Sequence, residues 1–243
     1  MNVAYDPRAF WEQRLSEQFD LRGTGEPGLS LAYNRACYEV RRWVLDRALA
    51  EAGVDPSGKS VLDVGCGTGF FTAYYLGRGA RVTGLDIAPT SIERLRERHP
   101  EARFLLADVG ESAPAESFDL VNAFDVLYHI TDETRWQRAV ENLARAVAPQ
   151  GVLLLTDTFA ARAGLADHNV TRPLARYREV LAAHGLEPLA IYPTHVLLNR
   201  ELGRFRWVNR APAVLYALDR MLLGLGFGHD SAVSKLMLAR RRR

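Results

Sequence analysis

From residue 59 onward the apolar positions alternate between two rhythms: short continuous runs, and stripes three or four residues apart. The run KSVLDV (59–64) has the β-branched, apolar character of a buried strand. FFTAYYLGRG then predicts a helix over about 70–78, and ARVTGLD (80–86) a second strand. Pro89 opens a helix whose inward positions include Ile92 and Leu95, and His99 with Pro100 ends it. ARFLLAD (102–108) reads as a third strand, and SFDLVNAFDVL (117–127) contains a fourth. Thr131 suits the N-cap of the next helix, with Asp132 and Glu133 in the first turn, where the helix dipole favours acids. Trp136, Ala139, Val140, Leu143, Ala144 and Val147 mark one buried face of that helix. Pro149-Gln150-Gly151 then turns the chain into VLLLTD (152–157), the strongest strand signal of all.

Strand and helix alternating with short connections predict a doubly wound α/β fold, its sheet mostly parallel. RPLARYREVLAAHG (172–185) is a further helix closed by Gly185, followed by a sixth strand, LEPLAIY (186–192). The seventh, AVSKLMLARR (232–241), is expected to run antiparallel as the last strand. The intervening stretch 200–230 contains an apolar helix, about 211–224, and is an insertion at one sheet end, a position that suits a lid. Residues 1–55 are helical and aromatic-rich (Phe10, Trp11, Tyr33, Tyr38, Trp43) and form an N-terminal cap on a core domain of 56–243.

Composition narrows the class only modestly. A chain of 243 residues with 48% hydrophobic and 25% charged content is an ordinary globular domain. The net charge is +2, but Arg240 to Arg243 supply four positive charges, which leaves a body of −2 and no broad basic field for nucleic acid. That arginine tail is expected to be solvated. Cys37 and Cys66 form neither a disulfide framework nor a metal-ligand spacing. The opening residues lack the apolar core of a signal peptide, and no run is long enough to span a bilayer, so a cytoplasmic protein is expected.

The chemistry concentrates in VLDVGCGTGFF (61–71). Gly65, Gly67 and Gly69 stand where a strand turns into a helix N-terminus, the place where an α/β sheet binds a nucleotide-like ligand. Their spacing is G-x-G-x-G, whereas a dinucleotide fingerprint needs G-x-G-x-x-G. Asp63, two residues before the first glycine, opposes a pyrophosphate and favours a cationic ligand. With these residues the sequence resembles the class I S-adenosylmethionine-dependent methyltransferases, strongly over about 60–160. Asp86 and Asp108 at the ends of strands two and three, Ala123 and Phe124 at the end of strand four, and PQGVLLLTD fit that family's order.

The resemblance implies S-adenosyl-L-methionine as cofactor and S-adenosyl-L-homocysteine as product. It implies a cofactor site of Asp63, Gly65, Cys66, Gly67, Asp86, Ile87, Asp108, Val109 and Phe124. In that site Asp63 helps hold the amino-acid end, Asp86 accepts both ribose hydroxyls and Asp108 holds the adenine amino group. Cys66 is read as inert packing rather than as a nucleophile.

Methyl transfer from a sulfonium is an in-line displacement, helped by a general base only when the acceptor arrives protonated. AFDVLYHITDE (123–133) should face the methyl, which makes His129 the candidate base with Tyr128 beside it. Asp125 and His129 are four apart, so a helical turn would put them on one face. Quinone-biosynthetic relatives carry a metal site there, but Tyr128 stands where its second acid would be, and no metal is expected. Candidate substrate residues are Trp11, Tyr33, His168, Arg172 and Trp207, with Tyr216 as a further wall. Arg172 is read either as a partner for an acidic substrate or as a salt bridge.

No basic stripe, zinc module or RNA-binding motif is present, so the expected partner is a small organic acceptor, with neither nucleic acid nor membrane. Oxygen is the first choice of methylated atom, with carbon or nitrogen as alternatives, in a monomer or homodimer. Two other classes remain: a nicotinamide-dependent reductase, and a non-catalytic S-adenosylmethionine-binding protein.

Overall fold

A computed structural model describes residues 5–112, 114–160, 168–199, 203–229 and 233–241. Its centre is a seven-stranded sheet of β1 (Ser60–Val64), β2 (Arg81–Asp86), β3 (Arg103–Leu106), β4 (Phe118–Ala123), β5 (Val147–Asp157), β6 (Leu186–Pro193) and β7 (Lys235–Arg241). The spatial order is β3-β2-β1-β4-β5-β7-β6. β1 to β5 pair in parallel, and β7 lies antiparallel between β5 and β6. The order reverses beside β1, which makes the carboxyl ends of β1 and β4 the switch point where such sheets bind ligands.

Both faces of the sheet are covered, and strand alternation divides the core in two. Val61, Leu120, Val152, Leu154, Leu236 and Leu238 face one cluster. Leu62, Val121, Leu153, Leu155 and Met237 face the other, with the fully buried Trp136. On the first side lie α2 (Leu31–Glu51) and α3 (Phe70–Gly77), and on the second α5 (Glu133–Ala146) and α6 (Leu174–Ala183). α4 (Pro89–Arg98) closes β2 and β3 with Ile92 and Leu95. α7 (Pro212–Gly224) packs along α2, where the Arg220 guanidinium lies 5.2 Å from the Trp43 ring centre.

Several boundaries shift from the sequence expectation, each for a local reason. The N-cap of α5 is Asp132 rather than Thr131, because its carboxylate accepts the Arg135 N–H at 2.8 Å. β7 begins at Lys235, and the earlier start expected at Ala232 lies outside the described residues. Arg240 and Arg241 are not a solvated tail. Arg240 donates to the Ala52 carbonyl, and Arg241 donates to the carbonyls of Ala144, Val147 and His184, where α5 and α6 end.

Candidate active site

The N-terminal cap is held over the carboxyl edge of the sheet by polar side chains. α1 (Pro7–Glu17) starts at Asp6, whose carboxylate accepts the N–H groups of Arg8 and Ala9. From α1, Glu12 accepts from the Thr90 N–H at 3.0 Å and the Thr90 hydroxyl at 2.7 Å, at the start of α4. Arg14 turns to the carbonyls of Arg22, Gly23 and Gly25, and buried Asn34 ties the next turn through Glu26, Leu29 and Ser30. Thr24 is thereby placed over the glycine loop, and its hydroxyl accepts from Tyr38 at 2.8 Å.

Beneath the cap lies a cavity of about 230 Å³. Its floor is the glycine loop, where Gly67 has φ 51° and a Cβ would stand 2.7 Å from Thr24 Cγ2. Only glycine allows this conformation and this approach together. The four parallel strand ends deliver a carboxylate each: Asp63 on β1, Asp86 at the end of β2, Asp108 after β3 and Asp125 after β4. Asp86 accepts the N–H of Gly67 at 2.8 Å and of Ala88 at 2.9 Å, so it fastens the loop, and burial pushes its pKa up. Asp108 accepts the Gly110 N–H at 2.7 Å and pairs with Arg135. Asp63 accepts from the Thr72 hydroxyl and the Asn122 amide, both at 2.7 Å.

Burial pushes Asp63 up to about 6. A carboxyl raised in the folded state contributes stability below its unfolded value near 4, and this is lost as pH rises through 6. A cationic ligand beside it has the opposite demand and needs the ionised form. Calorimetry with S-adenosyl-L-homocysteine should therefore show affinity falling at least threefold between about pH 7.5 and pH 5. Asp63→Asn should flatten that dependence, and an equal slope in the variant would remove Asp63 as its source.

Asp125, just beyond β4, has φ 57° in the left-handed region. Its N–H donates to the Thr156 hydroxyl at 2.8 Å, that hydroxyl donates to Oδ1 at 3.0 Å, and Arg41 of α2 pairs with Oδ2 at 3.0 Å. A 3₁₀ turn, Leu127–His129, follows, so Asp125 and His129 do not share one face of an α-helical turn as expected. With Arg41 already on its carboxylate, Asp125 does not suit a divalent cation. Among the described residues no group of three or more His, Cys, Asp and Glu is placed to hold a metal.

His129 stands under Trp11, ring centres 4.9 Å apart, and stacks on His168 at 5.7 Å. Burial pushes its imidazole down to about 4, so the ring is neutral at pH 7. Nδ1 lies 3.3 Å from the His168 carbonyl, which can only accept, so the hydrogen-bond network assigns the proton to Nδ1 and a free lone pair to Nε2.

The chain is 30% identical over 184 residues to the malonyl-[acyl-carrier protein] O-methyltransferase of Serratia marcescens, covering 69% of this chain and 71% of that protein. The chain belongs to the class I S-adenosylmethionine-dependent methyltransferases. A methyltransferase-domain family model matches residues 62–155. The nodulation protein S of Sinorhizobium fredii is 35% identical over 105 residues, covering 42% of this chain and 49% of that protein. The magnesium protoporphyrin IX methyltransferase of Synechocystis, solved with bound S-adenosylmethionine, covers both chains fully at 17% identity with a TM-score of 0.66, a likeness of fold.

As a methyltransferase of this class the chain uses S-adenosylmethionine, and its cavity suits that cofactor's charge. Of the charged side chains that the described residues place on the wall, five are carboxylates (Asp63, Asp86, Asp108, Asp125, Asp132) and one, Arg135, is a cation. A sulfonium and an ammonium fit that field, and a pyrophosphate does not. All nine candidate cofactor residues, Cys66 included, line this one cavity. Burial pushes the Cys66 thiol well up, away from reactivity.

The other candidates divide. Trp11 and His129 are on the wall, and His168 stacks behind His129 and against Phe10. Tyr128 is off the wall, and burial pushes its hydroxyl up. Tyr33 is fully buried in the α2 core face. Arg172 is buried over the Trp136 ring, where it donates to the carbonyls of Ile130, Thr131 and Val170 and pairs with Glu133. Trp207 is 66% exposed, and neither it nor any other residue of 207–229 reaches the cavity. Sequence reasoning missed Thr24, Tyr38 and Arg41. Arg41 had a visible signal, a charge inside the apolar stripe Cys37, Val44, Leu45 and Ala48 of α2.

Proposed function

We propose that this enzyme methylates a small organic acceptor, with oxygen as the first choice of atom and nitrogen or carbon as alternatives. One observation carries the reading: a single cavity under the cap runs from Asp108 and Asp86, past the glycine loop, to Asp125 and His129. Cap helix α1 closes directly over His129 through Trp11, which favours an acceptor small enough to fit beneath it. The Serratia relative is named an O-methyltransferase, and an N-methyltransferase NodS is among the structures of like fold. The enzyme is read as a cytoplasmic monomer or homodimer.

In this reading Gly65 and Gly67 present backbone to the amino-acid end of the cofactor, Asp86 accepts the ribose hydroxyls, and Ile87, Val109 and Asp108 receive the adenine. When bound, the sulfonium supplies an electrophilic methyl whose bond to sulfur breaks as the acceptor's lone pair forms the new one. The protein orients the acceptor between Trp11 and Phe124, excludes water with the cap, and offers Nε2 of His129 to a departing hydroxyl proton.

Calorimetry tests the cofactor half. S-adenosylmethionine and its homocysteine product should bind, and NADH should not. NADH binding without the other two overturns the proposal. Asp86→Ala should weaken binding at least tenfold, consistent with charge-assisted hydrogen bonds worth about 1.5–3 kcal/mol; unchanged affinity removes that role. A labelled-methyl screen over phenols, amines and carboxylic acids tests the rest, since cofactor binding without turnover of any acceptor would mark a non-catalytic binding protein.

A further inference from the structure

The acceptor end of the cavity carries a fixed negative charge, and among the described residues no cation lies opposite it. Asp125 lines that end with its side chain 16% exposed, whereas Arg41 behind it is 7% exposed and is not on the wall. The buried pair therefore turns its anionic side to the cavity. Thr156 holds both the N–H and Oδ1 of Asp125, which fixes the carboxylate in a backbone conformation that non-glycine residues seldom adopt.

The other polar atoms presented there by the described residues are Nε2 of neutral His129, also an acceptor, and the uncharged hydroxyl of Tyr5, which lines the cavity beside His168. The nearby cation Arg14 is committed to three carbonyls. Arg135 pairs with Asp108 beyond β3, three strand spacings from β4, or roughly 14 Å. The remaining surface is apolar and ring-sized: Trp11, Phe70, Phe71, Phe124 and Val126.

We infer that the acceptor is a hydroxyl or amine on an apolar, ring-sized body, neutral or cationic, and that Asp125 turns away carboxylate and phosphate acceptors. The inference rests on the methyltransferase reading above and names its substrate class. A hydroxyl or ammonium donates to Asp125 or His129, and both have an open lone pair for it. A carboxylate placed there meets a like charge in a largely apolar cavity, with no cation among the described residues to offset it. The hydroxyl proton passes to Nε2 of His129 as the oxygen lone pair takes the methyl. An amine attacks from its uncharged form and leaves its proton by the same route.

The test uses one scaffold with three reacting groups: 2-naphthol, 2-naphthylmethylamine and 2-naphthoate. Each is titrated by ligand-observed NMR into the protein saturated with S-adenosyl-L-homocysteine, and each is offered with labelled S-adenosylmethionine. The hydroxyl and amine should bind at least tenfold more tightly than the carboxylate, and they alone should be methylated. Asp125→Asn should shrink the binding ratio below threefold. Because that change strands Arg41, the double variant Arg41→Met, Asp125→Asn is measured beside it and should show the same loss of discrimination. Naphthoate binding as well as the others overturns the inference, and so does a ratio that neither variant alters. Failure of S-adenosyl-L-homocysteine to bind at the outset would instead count against the methyltransferase reading itself.

Discussion

Replacing Arg41 by Met should lower the unfolding free energy by about 3–5 kcal/mol, because it leaves the Asp125 carboxylate part-buried without its counter-charge. For a chain of this size the melting temperature should fall by roughly 6–20 °C. Burial works against the Arg41 charge, and Asp125 together with Tyr38, Cys37 and Tyr128 outweighs it, so that the guanidinium is held above its ordinary pKa. Both partners have paid desolvation, and Arg41 Nε has no hydrogen-bond partner among the described residues. The pair itself therefore contributes little beyond an apolar substitute, and its cost appears when one member is removed alone. Adding Asp125→Asn to Arg41→Met should accordingly restore most of the loss. Denaturant melts of the wild type, both single variants and the double variant would measure the coupling. Strictly additive losses would show that the two side chains do not depend on each other.

His129→Ala should reduce kcat about 100-fold, the lower range for a positioned general base, while leaving cofactor affinity within a factor of two or three. His129→Gln, which keeps more of the volume under Trp11, should be equally slow if the base is what matters. The pH dependence gives a second check. Burial holds the imidazole at about 4, so the base form is complete above roughly pH 5 and is lost only as pH falls through 4. At saturating cofactor the wild-type kcat should show no inflection near 6.5. A kcat unaltered in both variants would leave His129 as packing between Trp11 and His168.

The strand and helix order was legible because each run has its own period, and the glycine loop because no other residue tolerates its backbone. The carboxylates at the strand ends were legible for the same topological reason, since residues that end consecutive parallel strands must come together. Less legible were the cap residues, which depend on helical phase. Tyr33 shares the buried stripe of Cys37, Val40 and Val44, spaced by three and four, and so packs into the core rather than into the pocket. Trp11 lies on a separate helix whose placement is set by Glu12 and Arg14, polar contacts that no apolar pattern records. Arg172 shows the limit of residue type: an arginine after strand five looks available for a substrate, yet four acceptors earlier in the chain consume it. The Arg41–Asp125 pair joins positions 84 residues apart; the stripe on α2 announces that Arg41 needs a carboxylate and is silent about which.

The position of β7 bears on how the chain acquires its shape. β5 and β6 have no ladder between them except through residues 235–241, which are translated after both. During synthesis the first five strands can zip together in order, whereas β6, and α7 behind it, must wait beside an open β5 edge. The half of the sheet that builds the methyl-donor site is thus assembled from near-sequential contacts, and the far half closes by a single late, long-range insertion, the slow kind of step. A ribosome stalled short of residue 235 would hold a nascent chain whose glycine loop is already formed and whose β5 edge is still open to pairing with a neighbour.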